Sequence, residues 1–392
     1  MPPAIAGWFA AKGWSPRPHQ MALLEKAQAG RSTLLIAPTG AGKTLAGFLP
    51  SLVDLHGRPR AKPGEPARGI HTLYLSPLKA LAVDVARNVV GPAEEMGLGL
   101  RIETRTGDTP TAKRQRQSKS PPDILMTTPE QLALLISNPR AKEMFGNLRR
   151  VVIDELHALV TTKRGELLAL GLARLRKLSP GVTMTGLSAT VAHPDALRAW
   201  LTPRYTTDGE EGPLADLVTT PPVAKPDVTV LASDSRIPWS GHSARYAIEE
   251  VMAAIRAHKL VIVFVNTRSQ AESTFQGLWM ANDEALPIAL HHGSLDVAQR
   301  RRVEAAMAEG KLRAVVATAT LDLGIDWGDV DLVVHVGAPK GASRLAQRIG
   351  RANHRLDEPS RAILVPANRF EIMECEAAAE ALERGAQDSE MP

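Results

Sequence analysis

The segment Leu34–Thr44, LLIAPTGAGKT, limits the fold more than any other part of this chain. The apolar run Leu34, Leu35, Ile36 enters a loop holding Gly40 and Gly42, and Lys43 and Thr44 follow. A helical pattern, LAGFLPSLVDL, comes next. Strand, glycine-rich loop and helix in that order make a phosphate cradle. Glycines let the loop curl so that backbone N–H groups converge on phosphate oxygens. The helix start adds partial positive charge at the same point. Lys43 supplies a point charge for the β- and γ-phosphates, and the Thr44 hydroxyl a ligand for Mg²⁺. Thr39, Gly40, Ala41 and Gly42 are the remaining cradle candidates. Ala37 stands where the usual pattern opens with glycine. The loop speaks for a nucleotide phosphate and leaves open what the energy drives.

A parallel sheet is expected around that loop, because strand-like runs alternate with helical ones. The expected strands of the first half are Leu34–Ala37, His71–Leu75, Arg101–Thr104, Asp123–Met126, Arg150–Ile153 and Thr183–Leu187. Between Pro203 and Pro226 the texture turns rich in Pro, Gly and Thr, and reads as a connecting arm. Alternation then restarts at Leu260–Val265, Ile288–His291, Ala314–Ala317, Leu332–Val336 and Ala362–Val365. At 392 residues the chain suits two domains. The expected division is 1–205, an arm at 206–225, and 226–392. Apolar runs such as LVIVFV from Leu260 are too short to span a bilayer. The N-terminus has no signal-peptide pattern. The single Cys375 excludes an internal disulfide framework and fits a reducing compartment. The expected location is the cytoplasm, with no membrane partner. The formal charge of +5 suits a polyanion only weakly.

Two further motifs carry chemistry. RRVVIDELHAL, from Arg149 to Leu159, ends an apolar strand in Asp154, Glu155 and His157. Carboxylates there lie at the ligand-facing edge of a parallel sheet. Asp154 can hold Mg²⁺ and Glu155 can polarise an attacking water. The plainer alternative makes Asp154 a helix cap. The hydroxyls of GLSAT, Gly186–Thr190, can hydrogen-bond this acidic segment. In AQRIGRANHR, Gln347 precedes Arg348, Arg351 and Arg355, at spacings that share one helix face. Arginine suits charge developing on a transferring phosphoryl group. A solvated basic helix is the alternative. A P-loop in one half and arginines in the other suggest a nucleotide held between two domains. The basic run KRQRQSK, Lys113–Lys119, reads first as a solvated helix or loop.

Taken in order, these stretches resemble the superfamily-two helicases of the DEXH-box type. The pattern is most similar to the Lhr-type group and, within it, to the bacterial ligase-associated enzymes. PRPHQ (Pro16–Gln20), APTGAGKT, SPLKAL (Ser76–Leu81), TTPE (Thr127–Glu130), DELH, SAT, VFVNTR (Val263–Arg268), TATLDLGID (Thr318–Asp326) and QRIGRANHR stand in the expected sequence. The resemblance implies two RecA-like α/β domains in tandem, ATP and Mg²⁺ as cofactors, and 3′-to-5′ movement on single-stranded DNA or a tailed duplex in DNA repair. It implies adenine recognition by Gln20 with Arg17 and Trp14, nucleotide contacts from Gly324 and Asp326, and γ-phosphate contacts from Arg348 and Arg351. It implies backbone contacts to nucleic acid from Pro77, Lys79, Thr128, Pro129, Asn266, Thr267, Arg268, His292, Gly293 and Thr318. Hydroxyls, amides and cations of that kind bind phosphates without reading sequence. Thr128–Pro129 as a helix cap, and His291 and His292 as packing residues, are the plainer alternatives.

RNA or a DNA–RNA hybrid stays open as substrate, since no reader of the 2′-hydroxyl is identifiable. A small-molecule P-loop NTPase and a nucleic-acid clamp are the rival functions. A DNA ligase and a repair nuclease or phosphoesterase are the partners the group implies, with a nucleoid location. Asn353 replaces the glycine of many relatives, and Asn tolerates a left-handed backbone. Relatives of this type continue with a winged-helix domain and a further C-terminal domain. The chain is therefore expected to hold the motor alone.

Overall fold

The computed structural model describes the chain except for residues 39, 58–67, 78, 190, 192, 204–208, 221–224, 323–329, 353–358 and 386–392. It also leaves out the side chains of 79–81, 83, 84 and 86–88. Residue contacts divide the chain into two compact units, with the break between Thr220 and Pro221.

The first unit holds β1 (Thr33–Ile36), β2 (Thr72–Leu75), β3 (Ile102–Arg105), β4 (Ile124–Thr127), β5 (Arg150–Ile153), β6 (Thr183–Ser188) and β7 (Asp216–Thr219). They form one sheet in the order β3-β4-β2-β5-β6-β1-β7. Every pairing in it is parallel. A parallel sheet needs helical crossovers, which cover both faces and make its strands apolar on both sides. The registers show this directly. Leu73, Leu75, Val151 and Ile153 point into one core layer, and Tyr74, Val152, Met126 and Leu187 into the opposite one. Phe48, on the helix Lys43–Leu55, packs in the second layer.

The second unit holds β8 (Asp227–Val230), β9 (Val261–Val265), β10 (Ile288–His291), β11 (Ala314–Ala317), β12 (Leu332–Val336) and β13 (Arg361–Val365). Their order is β10-β11-β9-β12-β13-β8, again all parallel. Val261, Val263 and Val265 face one layer, Ile262 and Phe264 the other.

Two strands lie outside the expected set. β7 falls inside the stretch 206–225 read as a connecting arm, and β8 follows it. Both are edge strands, β7 alternating between buried and exposed residues. Each opens with aspartate and holds a threonine, so neither shows the continuous apolar run that marks the inner strands. Among the described residues, no helix is long and apolar enough to cross a membrane.

Candidate active site

In the first unit, the carboxyl ends of β1, β5 and β6 are neighbours in the sheet order β5-β6-β1. The P-loop leaves β1, the acidic segment leaves β5, and Ser188 ends β6. Topology alone thus brings three separated motifs to one edge.

Gly40 and Gly42 adopt φ of +77° and +75°, a region costly for other residues. Gly42 caps the helix Lys43–Leu55. Lys43 Nζ donates to the Ala37 carbonyl at 2.8 Å, tying the loop across itself. The helix Pro18–Gln28 packs against this loop. His19 Nε2 donates to the Ala41 carbonyl at 2.9 Å, and burial pushes the ring's pKa down, keeping it neutral. Gln20 Oε1 accepts from the Arg17 backbone N–H at 2.9 Å, which turns the amide nitrogen toward the loop. A Cβ on Gly42 would lie 3.1 Å from Gln20 Nε2. Gln20 and Arg17 therefore sit beside the cradle. Trp14 is exposed and packs edge-on to Trp8, with ring centroids 5.7 Å apart. Ala41 is buried and Thr44 half-buried, and Thr39 lies outside the described residues.

Asp154 and Glu155 are both buried. Asp154 Oδ1 accepts from the Glu155 N–H at 2.9 Å, and Oδ2 accepts from the Tyr74 hydroxyl. Burial, then the charge of Glu155, pushes the Asp154 pKa up to about 6, against the pull of Tyr74 and Lys43. Glu155 takes φ 47° and ψ 46° at the helix start, a strained setting for a residue with a Cβ. Its Oε2 is buried without a hydrogen-bond partner among the described residues and lies 3.5 Å from His157 Nε2. His157 Nδ1 pairs with Ser188 Oγ at 3.0 Å, so a serine of the SAT segment does bond the acidic one. Burial lowers the His157 pKa and leaves the ring neutral.

The donor set fits Mg²⁺. A buried acidic pair with one unsatisfied oxygen calls for a counter-charge, and the Asp154 carboxylate and Thr44 hydroxyl are hard oxygen donors.

Of the expected nucleic-acid contacts in this unit, Pro77 is buried just past β2. Lys79 begins the helix Lys79–Glu95, its side chain lying outside the described residues. Thr128 is the N-cap of the helix Pro129–Ile136, with Pro129 at its first position. The run Lys113–Lys119 lies in the helix Thr111–Lys119, where Arg116 and Gln117 bind Glu103 Oε2 at 2.7 and 2.9 Å.

In the second unit, Arg348 and Arg351 both lie on or beside the helix Ala342–Ile349 and are buried. Arg348 Nε donates to Asp322 Oδ1 at 2.7 Å, Nη1 pairs with His335 Nε2 at 2.7 Å, and the guanidinium lies 4.7 Å over the Phe264 ring. Burial and the neighbouring Arg348 push His335 down to about 3, so it stays neutral and accepts. Arg351 Nη2 donates to the Asp322 carbonyl at 2.9 Å. Arg344, half in solvent, also pairs with Asp322. The two arginines expected together on a γ-phosphate are thus both buried and both bonded to Asp322 within their own unit. Arg348 is fully engaged inside its own unit, because a buried guanidinium needs a buried carboxylate. Gln347 Nε2 is buried without a partner among the described residues.

Thr267 caps the helix Arg268–Met280 in a capping box with Gln270, and Asn266 Nδ2 donates to the Ala338 carbonyl at 2.8 Å. A Cβ on Gly293 would lie 3.9 Å from both Arg268 Nη2 and Thr320 Cγ2, so three expected contact segments converge there. His291 is buried between Thr320 Oγ1 at 2.8 Å and Glu304 Oε1 at 3.2 Å, a packing role. His292 lies 3.4 Å from Glu272. The Thr318 N–H donates to the His291 carbonyl at 3.3 Å. Gly324, Asp326, Asn353 and Arg355 lie outside the described residues. Sequence reasoning missed His19, Tyr74, Asp322 and His335. The only signal was a polar side chain inside or beside a segment otherwise apolar or already singled out.

Comparison with known proteins agrees with this geometry. The family model "DEAD/DEAH box helicase" matches residues 17–198, and "Helicase conserved C-terminal domain" matches 245–355. The Lhr helicase/probable uracil glycosylase of Mycolicibacterium smegmatis is 37% identical, over 96% of this chain and 27% of its own length. The ATP-dependent helicase Lhr-Core protein 2 of Thermococcus barophilus is 36% identical, over 95% of this chain and 44% of its own. The chain thus spans less than half the length of these relatives. The structure of Mycobacterium smegmatis helicase Lhr bound to ssDNA and AMP-PNP superposes with a TM-score of 0.83 at 34% identity, over 99% of this chain and 50% of that one.

Proposed function

The chain belongs to the DEAD/DEAH box helicases, with a motor of the Lhr type built from two RecA-like domains, and on that premise we propose that it is an ATP-dependent translocase of single-stranded DNA. One observation carries the reading: a P-loop, a buried Asp–Glu pair and the Ser188 segment meet at one sheet edge. The neighbour bound to ssDNA and AMP-PNP supports both ligands.

ATP enters with its adenine toward Gln20 and its phosphates in the cradle. Loop N–H groups and Lys43 take the phosphate charge, and Lys43 exchanges the Ala37 carbonyl for phosphate oxygen. Thr44 and Asp154 would hold Mg²⁺, which would supply charge neutralisation for the phosphates. Glu155 orients the attacking water and takes its proton through Oε2, which has no hydrogen-bond partner among the described residues. The γ-phosphate roles of Arg348 and Arg351 rest on the motif resemblance; within its own unit Arg348 also holds Asp322. His157, bonded to Ser188, passes the state of Glu155 to β6. The motif resemblance assigns phosphate contacts in each unit by itself: Asn266, Thr267, Arg268, His292, Gly293 and Thr318 in the second, and Pro77, Lys79, Thr128 and Pro129 in the first. Movement 3′ to 5′, a place in cytoplasmic DNA repair, and a DNA ligase and nuclease as partners rest on the motif resemblance. The division at 1–205 and 226–392 rests on the Pro-, Gly- and Thr-rich texture between them, with β7 extending the first sheet into that stretch.

ATPase measured with single-stranded DNA, with single-stranded RNA and with no polymer, at one salt concentration, tests the proposal. DNA is expected to stimulate turnover at least about tenfold over no polymer, roughly 1.4 kcal/mol of barrier. Equal rates in all three would remove the translocase reading. Stimulation by RNA alone would move it to an RNA motor.

A further inference from the structure

The acid assigned above to the metal is held by a residue that none of the helicase motifs contains. Tyr74 sits on β2, whose neighbours are β4 and β5. It pairs in register with Val152, two positions before Asp154. Its side chain is fully buried. The ring stacks on Phe48 at 5.2 Å with an interplanar angle of 25°, and Phe48 belongs to the helix that starts at Lys43. The hydroxyl donates to Asp154 Oδ2. The other carboxylate oxygen takes the Glu155 N–H at 2.9 Å, and the Asp154 N–H is held by the Leu75 carbonyl at 2.9 Å. The carboxyl group is thus fixed on both oxygens, and each oxygen keeps a lone pair for another donor or a cation.

A tyrosine costs something in this place. Leu73 and Leu75 flank it, and apolar side chains line the layer it enters. Packing alone is served by leucine or phenylalanine, which bury no hydroxyl. The phenol is satisfied because it meets the Asp154 carboxylate.

We infer that Tyr74 is a positioning residue for the metal-holding acid: it fixes the rotamer of Asp154 and, through the stack on Phe48, ties it to the helix that carries Lys43 and Thr44. The inference rests on the assignment of Asp154 above. Residues that hydrogen-bond a metal-ligating carboxylate set its orientation, and their loss typically weakens metal binding by about 10- to 100-fold. The ring stack and the hydrogen bond separate cleanly, since phenylalanine keeps the first and deletes the second.

Tyr74→Phe is therefore compared with the parent by titrating Mn²⁺ into the full chain with saturating AMP-PNP, free Mn²⁺ being followed by electron paramagnetic resonance. AMP-PNP binding in EDTA is measured alongside. The variant is expected to bind Mn²⁺ about tenfold more weakly, at the lower end of that range, with unchanged nucleotide binding in EDTA. Unchanged Mn²⁺ affinity would overturn the inference. So would equal losses in EDTA and in Mn²⁺, which would mark Tyr74 as packing only. Asp154→Ala is the control: if it keeps full Mn²⁺ affinity, the assignment of Asp154 fails, not the role of Tyr74 alone. Should Tyr74→Phe fail to fold, 3-fluorotyrosine at position 74 keeps the ring and the hydroxyl and makes the phenol a stronger donor. Any shift in Mn²⁺ affinity then supports the inference, and none overturns it.

Discussion

Single residues here are set by charge and burial. Lys43 spends its charge on the Ala37 carbonyl, so replacing it leaves the loop without its internal tie and the phosphates without their cation. Lys43→Ala is expected to reduce ATP turnover by at least about 100-fold, at least roughly 2.7 kcal/mol of barrier. A steady-state ATPase assay checks this, and full activity would remove the cradle assignment. Glu155→Gln keeps the shape of the side chain and deletes the base. It should lower turnover by about 100-fold or more while ATP binding persists. The pKa of Asp154, raised to about 6, sets a pH dependence. Folding favours the protonated acid, so its contribution to stability is whole below about pH 4 and is lost as pH rises through about 6. Asp154→Asn escapes that loss. In EDTA, urea denaturation should show the variant gaining on the parent between pH 5 and pH 7.5, by on the order of 2 kcal/mol. Parallel pH profiles would contradict it.

Whole elements are placed by turns and by buried ions. The P-loop turn needs Gly42 at φ +75°, and the same position faces Gln20 Nε2. Gly42→Ala adds a strain of about 1–2 kcal/mol and pushes the amide away from the loop. Its expected signature is weaker binding of an ATP analogue in a protein that still folds, read by calorimetry and circular dichroism. In the second unit, the helix Ala342–Ile349 is anchored through Arg348 to Asp322. Asp322→Asn leaves a buried guanidinium without its countercharge, a change that costs about 3–5 kcal/mol. The fall should appear in the unfolding midpoint of the second unit. A solvated basic helix, the alternative read from sequence, would tolerate the change, so an unmoved midpoint would restore that view.

For the molecule as a whole, the two units carry different parts of the chemistry. Lys43, Thr44, the acids and Gln20 lie in the first, and the motif arginines Arg348 and Arg351 in the second. Residues 1–220 produced alone are expected to bind AMP-PNP and to show no DNA-stimulated hydrolysis. DNA-stimulated turnover by that piece would refute the division of labour. The inner strands and the P-loop were legible in the sequence because each depends on neighbours along the chain. A buried parallel strand must be apolar throughout, and a phosphate cradle needs successive backbone N–H groups with glycine between them. β7 and β8 were not legible, since each opens with aspartate, holds a threonine and lies in or beside the Pro-, Gly- and Thr-rich stretch, whereas the edge strands β3 and β10 were read from sequence. Nor were the partners of Asp154, Arg348 and Gly42. Tyr74 reaches Asp154 only because the sheet sets β2 beside β5, and His335 meets Arg348 only because Asp322 draws that side chain inward. Local backbone chemistry can be read from spacing, whereas the charge a buried group meets is decided by which distant segments the sheet order brings alongside it.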